Sequence, residues 1–220
     1  MNNSLQTKKL VTSAMMVALG TAISFFCEMI PFLNLPFGGT ITIASLLPVV
    51  LVGYLYGPSW GFGAAFVYSI LQMGIGYQTV AGLFTPTSDS YMGARNAILI
   101  LLLDYVCAFT AVGIASFFRK MKAMPALVWG SVCSLLACYF FHTLSGAIFY
   151  GAWAEWFFTD TVVKSFAVSG WIMKHFTGAG LAVVYSLVYN GCYMIPEIII
   201  TAIAGAGIST VKPLMREKAK

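Results

Sequence analysis

The sequence predicts an all-α membrane protein, a six-transmembrane-helix bundle with its N- and C-termini on the cytoplasmic side. Three observations predict it. Of 220 residues, 60% are apolar and only 9% are charged, whereas a typical soluble domain carries about 25% charged residues. So few charges cannot cover a soluble surface, and so apolar a chain is not disordered. Second, the apolar residues fall into six runs. A membrane-crossing helix needs roughly 20 apolar residues, so six of them take about 120 to 150. The chain holds six with little to spare, and has no room for a soluble catalytic domain. Third, the basic residues gather at the ends and between runs, the pattern that sets membrane topology.

The elements follow in order. The first run covers residues 10–32. The second, 41–56, is short and ends at Gly57-Pro58. The third covers 59–77. A polar, turn-rich outer loop follows at 78–93, centred on Thr85-Pro86-Thr87-Ser88-Asp89. The fourth run, 94–118, closes at Arg119-Lys120-Met121-Lys122, and the fifth covers 125–150. Residues 151–178 are mixed, rich in aromatics, and form a second long outer loop. The sixth run, 179–208, precedes a basic tail. All of this reads as one integral membrane domain, residues 1–220.

Charge gives the orientation. Lys8 and Lys9 precede the first run, Arg119, Lys120 and Lys122 separate the fourth from the fifth, and Lys212, Arg216, Lys218 and Lys220 follow the sixth. With six spans these groups share one face, cytoplasmic by the positive-inside rule. The outer loops hold Asp89, Glu155 and Asp160, with Arg95, Lys164 and Lys174. No cleavable secretory signal is expected, because Lys8-Lys9 lead into a long apolar run without a short h-region and cleavage site. No internal repeat stands out, which weighs against the inverted-repeat transporters.

Several functions are excluded. The net charge is +5, from 12 Lys+Arg and 7 Asp+Glu, but no aromatic and basic side chains interleave on a polar surface, so nucleic acid is not an expected partner. The five cysteines, Cys27, Cys107, Cys133, Cys138 and Cys192, form no CxxC pair and read as small buried hydrophobes. No GxxxxGK[ST], HExxH or GxSxG sequence occurs. With two histidines, His142 and His175, metal catalysis has little support. Neither an enzyme nor a cofactor is expected.

An ionisable side chain inside a span is costly and is a functional hypothesis by default. Asp104 lies ten residues into the fourth run, His142 eight before Tyr150 at the outer end of the fifth, and Asn190 eleven into the sixth. At 1.5 Å per residue all three fall about 12–17 Å below the outer surface. A carboxylate, an imidazole and an amide thus reach one depth, which predicts a pocket open to the outside. His142, Gly146 and Tyr150 recur every four residues and share a helix face. Tyr185 precedes Asn190 by five. Tyr105 points about 100° from Asp104 in a regular helix and is expected to flank the pocket. The set suits a flat, cationic heteroaromatic ligand. Asp104 offers charge, tyrosine faces attract a cation, and His142 and Asn190 read ring nitrogens and an amino group.

Blander readings stand beside these. Asp104 serves as a structural partner of His142, and Asn190 as interhelical glue; the shared depth favours the pocket. Glu197, after Pro196, is either a structural acid near a helix kink or part of a coupling element. Glu28 reads as a solvated group at the loop edge. Ala14, Ala18 and Ala22 form a small-residue stripe, for packing within the bundle or for docking another membrane subunit. Trp153, Trp156, Phe157, Phe158 and Trp171 read as an interfacial belt or a lid.

These residues carry a resemblance. Tyr139-Phe140-Phe141-His142 with Gly146 and Phe149-Tyr150 is similar to the fifth-helix segment of the thiamine-specific S-component (ThiT/YuaJ) family of energy-coupling factor (ECF) transporters. Tyr185-Ser186-Leu187-Val188-Tyr189-Asn190-Gly191 resembles that family's sixth-helix YSLxxNG motif. Asp104-Tyr105, continuing to Gly113-Ile114-Ala115 and Phe118-Arg119, resembles its fourth-helix segment. Ala14 and Ala18 match its AxxxA feature.

The resemblance implies six helices, a bacterial plasma-membrane location, and thiamine taken from outside as the transported ligand. The implied partners are a transmembrane coupling subunit, contacted through the Ala14 stripe, and two ATPase subunits that supply the energy. The implied substrate site is Asp104, Tyr105, His142, Tyr150, Tyr185 and Asn190. Asp104 and Asn190 recognise the aminopyrimidine, Tyr150 and His142 pack against the rings, and Tyr105 and Tyr185 complete the wall or bind the hydroxyethyl end. The sequence departs from the family in four ways. The acid is Asp104 where Glu is usual. Tyr150 and Gly38-Gly39 each stand where a Trp reaches the ligand. The loops before Asp104 and after Tyr150 are long. An S component for another vitamin or a thiamine half is the alternative, followed by a proton-coupled carrier with Asp104 and His142 as relay.

Overall fold

The computed structural model describes residues 3–35, 39–159 and 167–212. Nine helices account for most of them: α1 Asn3–Glu28, α2 Leu47–Tyr56, α3 Pro58–Ile75, α4 Tyr77–Phe84, α5 Gly93–Lys120, α6 Ala123–Phe149, α7 Ala154–Thr159, α8 Ala167–His175 and α9 Gly178–Ile208. Among the described residues the only β pairing is an isolated antiparallel bridge, Asn34 to Thr40.

Among the described residues, four helices are long and apolar enough to cross a membrane: α1, α5, α6 and α9. They match the first, fourth, fifth and sixth runs. The second run differs from its expectation. Its first residues, 41–46, are not helical, and α2 has only 10 residues, about 15 Å of rise against a hydrocarbon core near 30 Å. Every residue from Leu47 to Leu55 is buried, with α1, α3, α5, α6 and α9 packed around it. Its uninterrupted hydrophobicity therefore reflects burial on all sides, which apolar count alone cannot tell from a membrane span. α3 is long but carries Tyr68, Ser69 and Gln72 on its buried face, so its apolar character is diluted.

The outer loops also carry more structure than expected. α4 begins at Tyr77 and fills the first part of 78–93, and a 3-10 turn, Gly151–Trp153, leads into α7 and then α8 within 151–178. Asp160, Lys164 and the tail residues Arg216, Lys218 and Lys220 lie outside the described residues, as does Gly38.

Two side-chain patterns fix the outer faces. α1 buries Ser13, Val17, Gly20, Ser24 and Cys27 along one stripe, while Ala14, Ala18 and Ala22 are exposed. The alanine stripe therefore does not pack inside the bundle. Exposed apolar residues such as Leu19, Phe26, Phe140 and Ile203 cover the outer surfaces, as contact with hydrocarbon demands. All five cysteines are free; Cys27 and Cys138 are buried as expected, but Cys192 is exposed on α9.

Candidate binding cavity

α5 is not regular where it carries its acid. It is α-helical to Ile100, π-helical over Leu101–Cys107, and 3-10 helical over Ala111–Lys120. A π-helical stretch advances only about 80° per residue instead of 100°, and such stretches recur at functional sites. Asp104 and Tyr105, adjacent on this stretch, both border the cavity.

His142 on α6 meets Asp104 directly: Nδ1 lies 2.8 Å from Oδ1. The imidazole side chain is 9% exposed and the carboxylate 22%. With Asp104 ionised, Nδ1 carries the proton and donates it. The ring is held further by the edges of Phe109, with centroids 5.7 Å apart, and Tyr193, 5.9 Å apart.

Asn190 on α9 is spent on the protein itself. Its Nδ2 lies 3.3 Å from the His142 carbonyl, 2.8 Å from the Ser186 carbonyl and 3.0 Å from Ser186 Oγ. Its Oδ1 accepts the Tyr193 hydroxyl at 2.6 Å. Gly146 makes this junction possible, because a Cβ there would collide with Ser186 Oγ. α6 and α9 cross at that point with no room for a side chain.

These groups line one cavity of about 170 Å³. All six residues expected at the site border it: Asp104, Tyr105, His142, Tyr150, Tyr185 and Asn190. The structure adds several that sequence reasoning missed. Tyr189 and Tyr193 continue the four-residue spacing of Tyr185 along α9, followed by Glu197 and Thr201. Tyr185 and Tyr189 have centroids 5.8 Å apart, Tyr189 and Tyr193 6.3 Å. That periodicity was available in the sequence. Tyr68 and Gln72 come from α3; Gln72 accepts from Ser24 Oγ at 3.1 Å, and its Nε2 makes no hydrogen bond. Glu28 is exposed, as expected, and also borders the cavity.

The lining is chemically one-sided. It includes the six tyrosines Tyr68, Tyr105, Tyr150, Tyr185, Tyr189 and Tyr193 and three carboxyls, Glu28, Asp104 and Glu197. Among the described residues no lysine or arginine borders it. Such a site disfavours anions and welcomes a cation with flat faces. Among the described residues, no three His, Cys, Asp or Glu side chains gather as a metal site would require.

Two segments lie against the tyrosine wall of the cavity. Gly39 donates its N–H to the Tyr189 hydroxyl at 3.3 Å. A Cβ on Gly39 would stand 2.8 Å from the Tyr193 ring, so the chain before α2 lies directly on these tyrosines. On α7, Phe157 sets its edge against Tyr185 at 5.2 Å and Tyr189 at 5.9 Å. Trp153 leans on Tyr150 at 5.4 Å. Trp171, by contrast, stacks on His175 at 4.6 Å.

Fold and cavity together define an integral membrane protein built around an internal small-molecule site. A family model described as thiamine transporter protein (Thia_YuaJ) matches residues 10–175. Thiamine transporter ThiT of Bacillus subtilis (strain 168) is 30% identical over 214 residues, covering 92% of this chain and 91% of that protein. The solved structure of ThiT from Listeria monocytogenes matches with a TM-score of 0.63 at 18% identity, covering 97% of this chain and 98% of that one. At that identity the likeness concerns the fold. The chain belongs to the thiamine transporter (Thia_YuaJ) family, and its role is transport.

Proposed function

We propose that this protein is the substrate-binding S component of an energy-coupling factor importer, and that it binds thiamine from outside in the cavity between α1, α3, α5, α6 and α9. The observation that carries the reading is the composition of that cavity: six tyrosines and three carboxyls, with no lysine or arginine among the described residues. Thiamine joins a permanently cationic thiazolium to a flat aminopyrimidine, and this lining complements both.

Asp104, which the resemblance puts on the aminopyrimidine, is assigned here to the thiazolium, because its carboxylate supplies the opposing charge. Tyr150, Tyr185 and Tyr105 offer ring faces, each worth about 0.5–2 kcal/mol to a cation depending on desolvation. His142 orients Asp104 and packs against the ligand. The expectation that Asn190 reads the aminopyrimidine changes here. Its amide is engaged by His142, Ser186 and Tyr193, so Asn190 acts by holding the wall in register.

Uptake needs energy that this chain does not supply, since it holds no P-loop. A transmembrane coupling subunit and two ATPase subunits provide it. The coupling subunit docks on α1 through Ala14, Ala18 and Ala22, which are exposed and small enough for close helix approach. The location is the bacterial plasma membrane, with six spans and both termini cytoplasmic; α2 with the chain before it, and α3, complete the six.

A proton-coupled carrier is the second reading, favoured by the Asp104–His142 contact at 2.8 Å. Calorimetric titration of the purified protein in detergent decides between these readings. Saturable binding of thiamine, with much weaker binding of the separate pyrimidine and thiazole halves, supports the S component. Tighter binding of one half points to a precursor importer. No binding, with pH-driven uptake by the chain alone in proteoliposomes, supports the carrier.

A further inference from the structure

Glu197 is the one cavity acid that neither the charge-pairing at Asp104 nor the outer rim uses. It continues the stripe Tyr185, Tyr189, Tyr193 by one more interval of four residues. It is 3% exposed, yet it borders the same cavity as Asp104. Its Oε1 accepts the Thr201 hydroxyl at 3.2 Å. Its Oε2 makes no hydrogen bond of acceptable geometry. Thr42 stands beside it, and both its hydroxyl and its N–H approach the carboxyl, but neither reaches hydrogen-bond geometry with Oε2; the hydroxyl also pairs with Ser45 Oγ at 2.7 Å. A buried carboxyl oxygen left without a donor calls for one. Among the described residues no lysine or arginine borders the cavity to provide it.

The position is as informative as the valence. Glu197 follows Asn190 by seven residues on a continuous helix, about 10 Å further along the axis. Asp104, His142 and Asn190 form one polar level, and Glu197 forms another beyond the Tyr193 ring. The cavity therefore has two acidic ends separated by tyrosine faces.

We propose that Glu197 is a second, deep recognition group that accepts an N–H from the neutral end of the ligand, so that the site reads its guest at two points. This rests on the thiamine reading. With the thiazolium held at the Asp104 level, the aminopyrimidine reaches inward past Tyr193, and its amino group donates to Glu197 Oε2. A ligand bearing a carbonyl oxygen there presents a lone pair to a carboxylate and is rejected. The tyrosine wall binds either ring by its face and does not distinguish them. Glu197 thus sets specificity where Asp104 sets charge preference.

The test compares two ligands on two proteins. Wild-type protein and Glu197→Gln are titrated calorimetrically with thiamine and with the analogue whose pyrimidine 4-amino group is replaced by a carbonyl oxygen. Glutamine keeps an oxygen for Thr201 and can donate to a carbonyl. The wild type is expected to prefer thiamine. Glu197→Gln is expected to bind thiamine at least tenfold more weakly, about 1.4 kcal/mol, and to lose the preference, with its ligand-free melting temperature unchanged. Unaltered thiamine affinity overturns the proposal. So does equal weakening of both ligands with the preference intact, which marks a structural acid. If Glu197→Gln does not fold, Glu197→Asp is read for the same preference, and an unchanged preference overturns it. A wild type that binds neither ligand sinks the thiamine reading itself, whereas a wild type that binds thiamine with an unaltered variant sinks only the role of Glu197.

Discussion

The imidazole Nδ1 of His142 lies 2.8 Å from the Asp104 carboxylate, joining α5 to α6 at the level where Asn190 holds the His142 carbonyl from α9. Three helices are thus tied together by side chains that also border the cavity. The tie orients the carboxylate, and among the described residues no lysine or arginine stands on the cavity wall. A cationic ligand completes the pair.

Asp104→Ala removes that charge and leaves His142 without its acceptor. Thiamine affinity is expected to fall at least tenfold, about 1.4 kcal/mol, read by calorimetry on protein that still melts cooperatively. A variant that folds and binds normally takes Asp104 out of the site.

Gly146→Val tests the α6–α9 crossing. Its Cβ collides with Ser186 Oγ and stands 3.2 Å from Asn190 Nδ2. Overpacking of this kind costs about 1–3 kcal/mol. The thermal midpoint in detergent drops and thiamine binding weakens with it; an unchanged midpoint contradicts the packing described.

Gly39→Ala acts from the chain before α2. Its methyl stands 2.8 Å from Tyr193 Cδ1 and pushes the ring or the chain away. Because Gly39 is joined to Tyr189 by a single hydrogen bond, the expected loss is in thiamine affinity, with little change in thermal stability. Equal affinity to wild type shows that this segment does not shape the site.

Phe157→Ala removes the ring that α7 lays on Tyr185 and Tyr189. Thiamine dissociation, followed by stopped-flow fluorescence, becomes faster. An unchanged rate assigns α7 to the interfacial belt and not to the cover of the cavity.

Ala18→Trp places a large side chain on the exposed face of α1. Thiamine binding to the purified chain stays as in wild type, while uptake by cells carrying the coupling subunit and ATPases is lost. Normal uptake moves the docking surface elsewhere.

Much of the fold was legible because membrane helices announce themselves by length and apolarity, as α1, α5, α6 and α9 do. The extent of α2 was not, because a helix buried on all sides and a short span share the same composition. Residues 41–46 continue the apolar run without being helical, and nothing local marks the change. In the site, Asp104, His142 and Asn190 stood out because polar groups inside spans are costly. Tyr189 and Tyr193 carry no such cost and are marked only by their four-residue spacing from Tyr185, while Glu197 stood out as a buried acid with nothing local to tie it to the cavity. The π-helical stretch at Leu101–Cys107 was not legible either, because a regular 3.6-residue period does not anticipate it. The engagement of Asn190 by its own neighbours is tertiary and has no local signature.

The most direct measurement is an anomalous-difference map from crystals grown with saturating thiamine, which carries one sulfur in its thiazolium ring. A new sulfur peak inside the cavity, beside Asp104 and among the tyrosine rings, is the predicted result. An empty cavity under saturating ligand, or a thiamine sulfur outside the bundle, contradicts it.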